Sequence, residues 1–458
     1  MTMRPPRPAP AGDPRPAGRR HAAVHTGVLA ALALVACTAR PVLSPAPPAH
    51  VAHRTPAAGT AATARPAPPG PSGEKAASAL RRLVRDGAPG AAALTTRAGA
   101  PSAARFATAG VADLHSGRRI GRQDHFRAGS ITKSLVATVI LQLVGEGRLT
   151  LHDSAAAHLP PGLPTRGNGT GSELRRVTIR QLLDHTSGLF NYTADPRLSR
   201  QLSGAGFGTH RYDSHTPGEL LRIALGHPPV AAPGARYAYS NTNYLVLGLV
   251  IEAVTGHPYA TEIRHRLLVP AGLGHTSFPG TDPALPEPHG RAYSRVGHHR
   301  VDATSLNPSR AGAAGEMITT LGDLNRFFSA LLGGRFLAPR QMAEIRSEKG
   351  AGGAYGLGLY ATELPCGVTV WGHDGEINGS FVRTAGTADG RHVVSYRLNT
   401  DHLADPAHGT DVLTAEFCPR RPGDRPGTGT GTGPPPRPQD SRPQDSRPQG
   451  SRPQGSRP

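Results

Sequence analysis

Low-complexity sequence at both ends confines any fold this chain can adopt to its middle. Residues 38–72 are rich in Ala, Pro and Thr and read as an extended, disordered linker. Residues 419–458 hold the Thr428-Gly429-Thr430-Gly431 repeat and then Arg-Pro-Gln-Asp/Gly-Ser repeats, too poor in apolar side chains to order a backbone. Of the 46 Pro, 26 lie in residues 1–72 and 419–458, so 73–418 is a more ordinary globular sequence than the average implies. That stretch is long enough for one large core or two smaller ones. Helical spacing of apolar residues marks 77–84, 130–145, 244–255 (closed by Gly256) and 321–332 (closed by Gly333-Gly334). Strand patterns mark 106–114, 368–371 and 393–398. Strands near both ends with helices between them predict an α+β fold, a sheet flanked by helices with a helical insertion.

The net charge of +19 raises the question of a nucleic-acid partner. Its distribution answers against one. Residues 1–77 carry +7 and 419–458 carry +5, so 12 of the 19 charges lie in the predicted tails. No basic stripe interleaved with aromatic residues runs through the middle. Weak attraction to anionic cell-wall polymers is the milder reading of the excess.

Arg19-Arg20 precedes an apolar run over 22–36, which suits the core of a signal peptide and is short for a membrane span. It ends Leu34-Val35-Ala36-Cys37, a lipobox-like sequence in which Cys37 would carry a lipid anchor; ordinary cleavage nearby is the alternative. We therefore expect residues 1–37 to be a signal peptide and the protein to be exported, either free or as a lipoprotein. Two cysteines remain, Cys366 and Cys418. An even pair in an exported chain reads as a disulfide, with two buried thiols as the alternative.

Ser130-Ile131-Thr132-Lys133 opens a strongly helical segment. A serine hydroxyl is a weak nucleophile until a base takes its proton, and the i, i+3 spacing puts the Lys133 amine on the same helix face. The chain holds only three lysines among its 51 basic residues, the other 48 being Arg. Arg cannot lose its proton near neutral pH, whereas a desolvated Lys can, so Lys133 stands out as a general base. Tyr239-Ser240-Asn241 follows Pro233-Gly234 and precedes an apolar helix. A capping cluster explains Ser240 and Asn241 but leaves Tyr239 over, a phenol able to relay protons, while Asn241 can donate its amide to a substrate carbonyl. His373-Asp374-Gly375 lies just after the strand at 368–371. His373 there would place an adaptable cation at the site edge, and Gly375 would let the strand approach the substrate closely. A backbone N–H of this strand together with that of Ser130 would form an oxyanion hole.

With these three motifs in this order, the chain resembles the serine β-lactamase/D,D-peptidase superfamily, in the branch with Tyr-x-Asn and His-x-Gly. The resemblance runs over about 73–418. It includes the stretches 177–189, 233–256, 317–334 and 355–359. It implies an antiparallel sheet flanked by helices with a mostly helical subdomain, no metal and no organic cofactor. It implies acyl transfer by Ser130, Lys133, Tyr239 and His373, with Asn241, Gly375 and Glu376 contacting substrate. The Cys366/Cys418 pair is similar to that of exported D-alanyl-D-alanine carboxypeptidases.

Two positions depart from those enzymes. Tyr360 stands where they carry an Arg, and Glu376 where they carry a Thr, so a cation that would hold a substrate carboxylate is missing and an anion is gained. The expected substrate is a D-alanyl-D-alanine type peptide of the cell wall, hydrolysed by a monomeric enzyme. D-aminopeptidase, esterase and β-lactamase activities on the same fold are the alternatives, as is a non-catalytic wall-binding or sensor module.

Overall fold

Segment 90–97, which carries no strand signal, forms a strand one place in from the edge of the main sheet. The structure, a computed structural model, describes residues 71–418 apart from 100–103, 168–170, 172, 203, 354 and 403–407. The signal peptide, Cys37, most of the linker and the C-terminal repeats lie outside the described residues. The linker expected over 38–72 gives way at Pro71, where helix α1 (Pro71–Arg85) begins. Strands β1 (Gly90–Arg97) and β2 (Arg105–Gly110) follow. Later come the helices α2 (Thr132–Gly145), α3 (Asn241–Thr255) and α4 (Leu321–Leu332). The chain then returns as strands β3 (Tyr360–Glu363), β4 (Thr369–Ile377), β5 (Ser380–Gly386) and β6 (His392–Leu398) and ends in helix α5 (His408–Phe417).

The six strands form one antiparallel sheet in the order β2-β1-β6-β5-β4-β3. Both of its faces are covered. Ala91, Ala93, Val394 and Tyr396 pack with Leu80 and Leu83 of α1 and Val412 and Leu413 of α5. Ala92, Leu94, Val382 and Val393 belong to the main core with α2, α3 and α4. A strand buried on both faces needs no apolar–polar alternation, which is why the alanine run of β1 escapes a period-two test. The α+β class, the flanking helices and the antiparallel sheet are as expected.

Helix α2 is buried from Thr132 to Leu141, with Leu143 besides. A helix apolar all round belongs in an interior, and each fully buried Leu, Ile or Val contributes about 1.5–3 kcal/mol. The helix expected over 130–145 begins with a tighter 3₁₀ turn, Gly129–Ile131, so Ser130 sits in the turn and Lys133 in the first helical turn. The strand expected over 106–114 ends at Gly110, whose φ of +64° turns the chain away. The strand expected over 368–371 is longer than its apolar part and carries His373, Asp374 and Gly375 within it. Cys366, in the β3–β4 turn, is bonded to Cys418 after α5, with Cα atoms 5.8 Å apart.

Candidate active site

Two glycines let strand β4 reach the turn that carries Ser130. Gly129 has φ +51°, and a Cβ there would lie 2.7 Å from the Glu376 nitrogen. A Cβ on Gly375 would lie 1.9 Å from the Ala128 carbonyl oxygen. Gly375 thus serves close approach of the strand to the nucleophile's own backbone, where approach to substrate had been expected. Thr132 Oγ1 donates to Gly129 O at 2.7 Å and accepts from Met317 N at 3.2 Å, which pins the same turn from behind.

Lys133 Nζ lies 2.9 Å from Ser130 Oγ, 2.9 Å from Asn241 Oδ1 and 2.6 Å from Ala314 O. The last two are acceptors only. Complete burial drives the Lys133 pKa well below the ordinary lysine value, with Asp374 opposing the shift. A neutral amine has two hydrogens and one lone pair. In that form its hydrogens would go to Asn241 Oδ1 and Ala314 O, both acceptors only, and its lone pair would be left for the Ser130 hydroxyl. Asn241 Nδ2 reaches Thr193 Oγ1 at 3.3 Å, which uses one of its two N–H donors, and the side chain lines the cleft.

The Tyr239 hydroxyl donates to Ser130 Oγ at 2.8 Å. Burial of its phenol end raises its pKa well above the ordinary value. The residue as a whole is 36% exposed, which tempers that rise without reversing it. Tyr239 is therefore a protonated phenol beside the serine, and of the two groups in contact with Ser130 Oγ it is Lys133 whose proton burial loosens.

His373 departs from expectation. It is 2% exposed, and its Nε2 is 2.7 Å from the Tyr355 hydroxyl. Burial lowers its pKa to about 4, so it is a neutral wall residue, where a cation at the edge had been expected. Its Nδ1 lies against the carbonyl of Asp374.

Ser130 opens on a cleft of about 540 Å³ lined by Tyr237, Tyr239, Asn241, Tyr355, Tyr360, His373, Asp374 and Glu376. Tyr360 occupies the position where a cation was missed, and its hydroxyl donates to Asp374 Oδ1 at 2.5 Å. Glu376 stands at the exposed rim, and its carboxyl is pushed up to about 7 by desolvation against the wall and then by Asp401 and Asp374. No Lys or Arg lines the cleft among the described residues. Tyr237, Tyr355 and the buried His185 carry no motif of their own in the sequence, and Asp374 appears there only as the middle of His373-Asp374-Gly375. Asp374 and Glu376 are two apart on one strand and so share a face. The apolar pattern ends at 371, whereas the strand runs on to Ile377 and carries both carboxylates.

Residues 76–418 match the profile of the β-lactamase family. A D-stereospecific amidohydrolase from Streptomyces sp. is 42% identical in sequence, with a TM-score of 0.69 over 76% of this chain and 99% of that one. Esterase EstB of Burkholderia gladioli is 30% identical over 267 residues, 53% of this chain and 66% of the esterase. PbpX of Bacillus subtilis is 29% identical over 240 residues, and the match spans 51% of this chain and about half, 53%, of that protein's length. Sheet topology, a profile match over the whole described domain and relatives of this kind agree, and the chain belongs to the β-lactamase family as a serine hydrolase of the β-lactamase and penicillin-binding-protein fold.

Proposed function

We propose that this enzyme hydrolyses amides of D-amino acids that keep a free α-amine, through an acyl-enzyme on Ser130. The observation that carries the proposal is the acid pair of Asp374 and Glu376 in a cleft whose described lining holds no Lys or Arg. At 4 Å a charge pair is worth about 1–4 kcal/mol between bulk water and a protein surface, attractive for an ammonium and repulsive for a carboxylate. A D-alanyl-D-alanine carboxypeptidase needs the opposite sign. The D configuration rests on the Streptomyces amidohydrolase, whose whole chain this one covers. Tyr237, Tyr355 and Tyr360 give the cleft aromatic walls suited to an apolar side chain.

Lys133 takes the Ser130 proton as Oγ attacks the carbonyl carbon. The Ser130 and Glu376 backbone N–H groups hold the oxygen as it gains charge. Tyr239 passes its proton to the departing nitrogen, the C–N bond breaks, and Lys133 returns a proton to Tyr239. Water, activated by the same pair, then releases the acid. Export, cleavage or lipidation near Cys37, a monomeric state and a cell-wall source of substrate are part of this proposal, carried by sequence alone.

The test compares kcat/KM for a D-amino-acid amide, its L isomer, its N-acetyl derivative and a diacylated D-Ala-D-Ala peptide. The free D-amide should turn over fastest, and N-acetylation should lower kcat/KM by about tenfold or more. Faster release of D-Ala from the diacylated peptide would reverse the assignment. A fluorophosphonate should add one adduct to the intact protein and none to Ser130→Ala.

A further inference from the structure

Among the described residues His185 is the one non-glycine residue with positive φ, at +59°. Its side chain is fully buried, and its Nε2 has no hydrogen-bond partner. A left-handed backbone and an unpaired buried polar atom each cost stability, and such strain persists where the surroundings hold it for a purpose. None of the proton-transfer steps above uses this imidazole.

Its neighbours show what it holds. The Ala238 N–H donates to the His185 carbonyl at 2.8 Å. The Ser240 N–H donates to His185 Nδ1 at 3.2 Å. The two backbone amides that flank Tyr239 on its C-terminal side and N-terminal side are thus both anchored on one residue. The Tyr239 ring itself packs on the imidazole, with centroids 4.2 Å apart and planes 33° from parallel. Tyr355 and Tyr244 close the other sides at 4.8 and 5.3 Å. Asn243 Nδ2 is 3.0 Å from the same Nδ1, and Ser187 Oγ donates to the Asn243 oxygen at 2.6 Å, which orients that amide. Since a backbone N–H can only donate, Nδ1 is an acceptor and the ring is the neutral Nε2–H tautomer. Burial, with Lys133 and His373 nearby, disfavours the cation.

We propose that His185 is the positioning residue of the site: a neutral imidazole that clamps Tyr239 by backbone, side chain and ring face so that its phenol meets Ser130 Oγ. An imidazole combines a flat face for stacking with an in-plane acceptor for the Ser240 N–H. Phe keeps the face and loses the acceptor. Asn keeps an acceptor near Nδ1 and tolerates positive φ, but loses the face. The inference rests on the proton-exchange role of Tyr239 given above.

The experiment measures the rate of Ser130 acylation by a fluorophosphonate, and kcat and KM for a D-amino-acid amide, in His185→Asn, His185→Phe, Tyr239→Phe and the double variant His185→Asn/Tyr239→Phe. His185→Asn should slow acylation and kcat by about tenfold while KM stays within about twofold, as expected when a proton-transfer group is misplaced. In the Tyr239→Phe background it should add less than about twofold, because its target is already gone. Multiplicative effects in the double variant, or wild-type acylation in His185→Asn, overturn the inference. If Tyr239→Phe alone acylates at the wild-type rate, the role of Tyr239 fails first, and that result is distinct from the others. ¹⁵N NMR of the histidines in the unmutated protein gives a reading independent of variant folding. His185 should show the Nε2–H tautomer, and an Nδ1–H tautomer would refute the clamp.

Discussion

Gly375→Ala tests the closeness on which the site depends. The added Cβ would meet Ala128 O at 1.9 Å and Ile131 N at 3.0 Å, both backbone atoms of the nucleophile turn. Ordinary contact begins near 3.4 Å, so strand and turn must part by about 1.5 Å. Overpacking of this kind costs about 1–3 kcal/mol of stability. The effect on rate should be larger in proportion. A misplacement of about 1 Å at a reacting centre is worth about 10²-fold, or about 2.7 kcal/mol of barrier. Ser130 would shift relative to the Glu376 N–H, while Lys133 and Tyr239, on α2 and just ahead of α3, would not follow it equally. The assay is kcat/KM on a D-amino-acid amide together with the melting temperature, beside Gly274→Ala as a control, where no heavy atom lies within 4 Å of the added Cβ. We expect a fall of about 10²-fold or more for Gly375→Ala and near-unchanged kinetics for the control. Gly375→Ala activity within about threefold of wild type would show that β4 does not gate the geometry of the nucleophile.

Three further outcomes rest on the same structure. The Glu376 carboxyl is held at about 7, so it is neutral below that pH, whereas an α-amine loses its charge above about 8. The affinity for an amine substrate should therefore peak between those values, and Glu376→Gln should flatten the acid side of the KM profile; an unchanged profile would remove Glu376 from amine recognition. Because folding raises this pKa, the protonated form favours the fold, and the stability it contributes at low pH is lost as pH rises through about 7. Glu376→Gln should accordingly raise the melting temperature at about pH 8 and leave it nearly unchanged at about pH 4. Replacing both Cys366 and Cys418 by Ser opens a link between residues 52 apart and should lower stability by about 2–4 kcal/mol, read by chemical denaturation. The kcat of the folded protein should hold, since the bond sits at the far end of β4 from Gly375; a matching loss of kcat would show that the bond shapes the cleft.

The sequence by itself marked the polar groups that the fold brings together at Ser130. Ser130 and Lys133 are legible because one helical turn joins them, and the scarcity of lysine marks the amine out. Tyr239 is legible because helix capping explains its neighbours and not it. The Cys366–Cys418 bond was legible too, since residue type is a local property. Tertiary structure decided the protonation states and the partners. The charge of Lys133, the charge of His373 and the direction of the Asn241 amide depend on burial and on groups far along the chain, such as Ala314, 181 residues from Lys133. Strand β1 was hidden because burial on both faces removes the alternation by which a strand is read. His185 was hidden because a clamp on Tyr239 is a relation between segments 54 residues apart, which packing creates and no local spacing encodes.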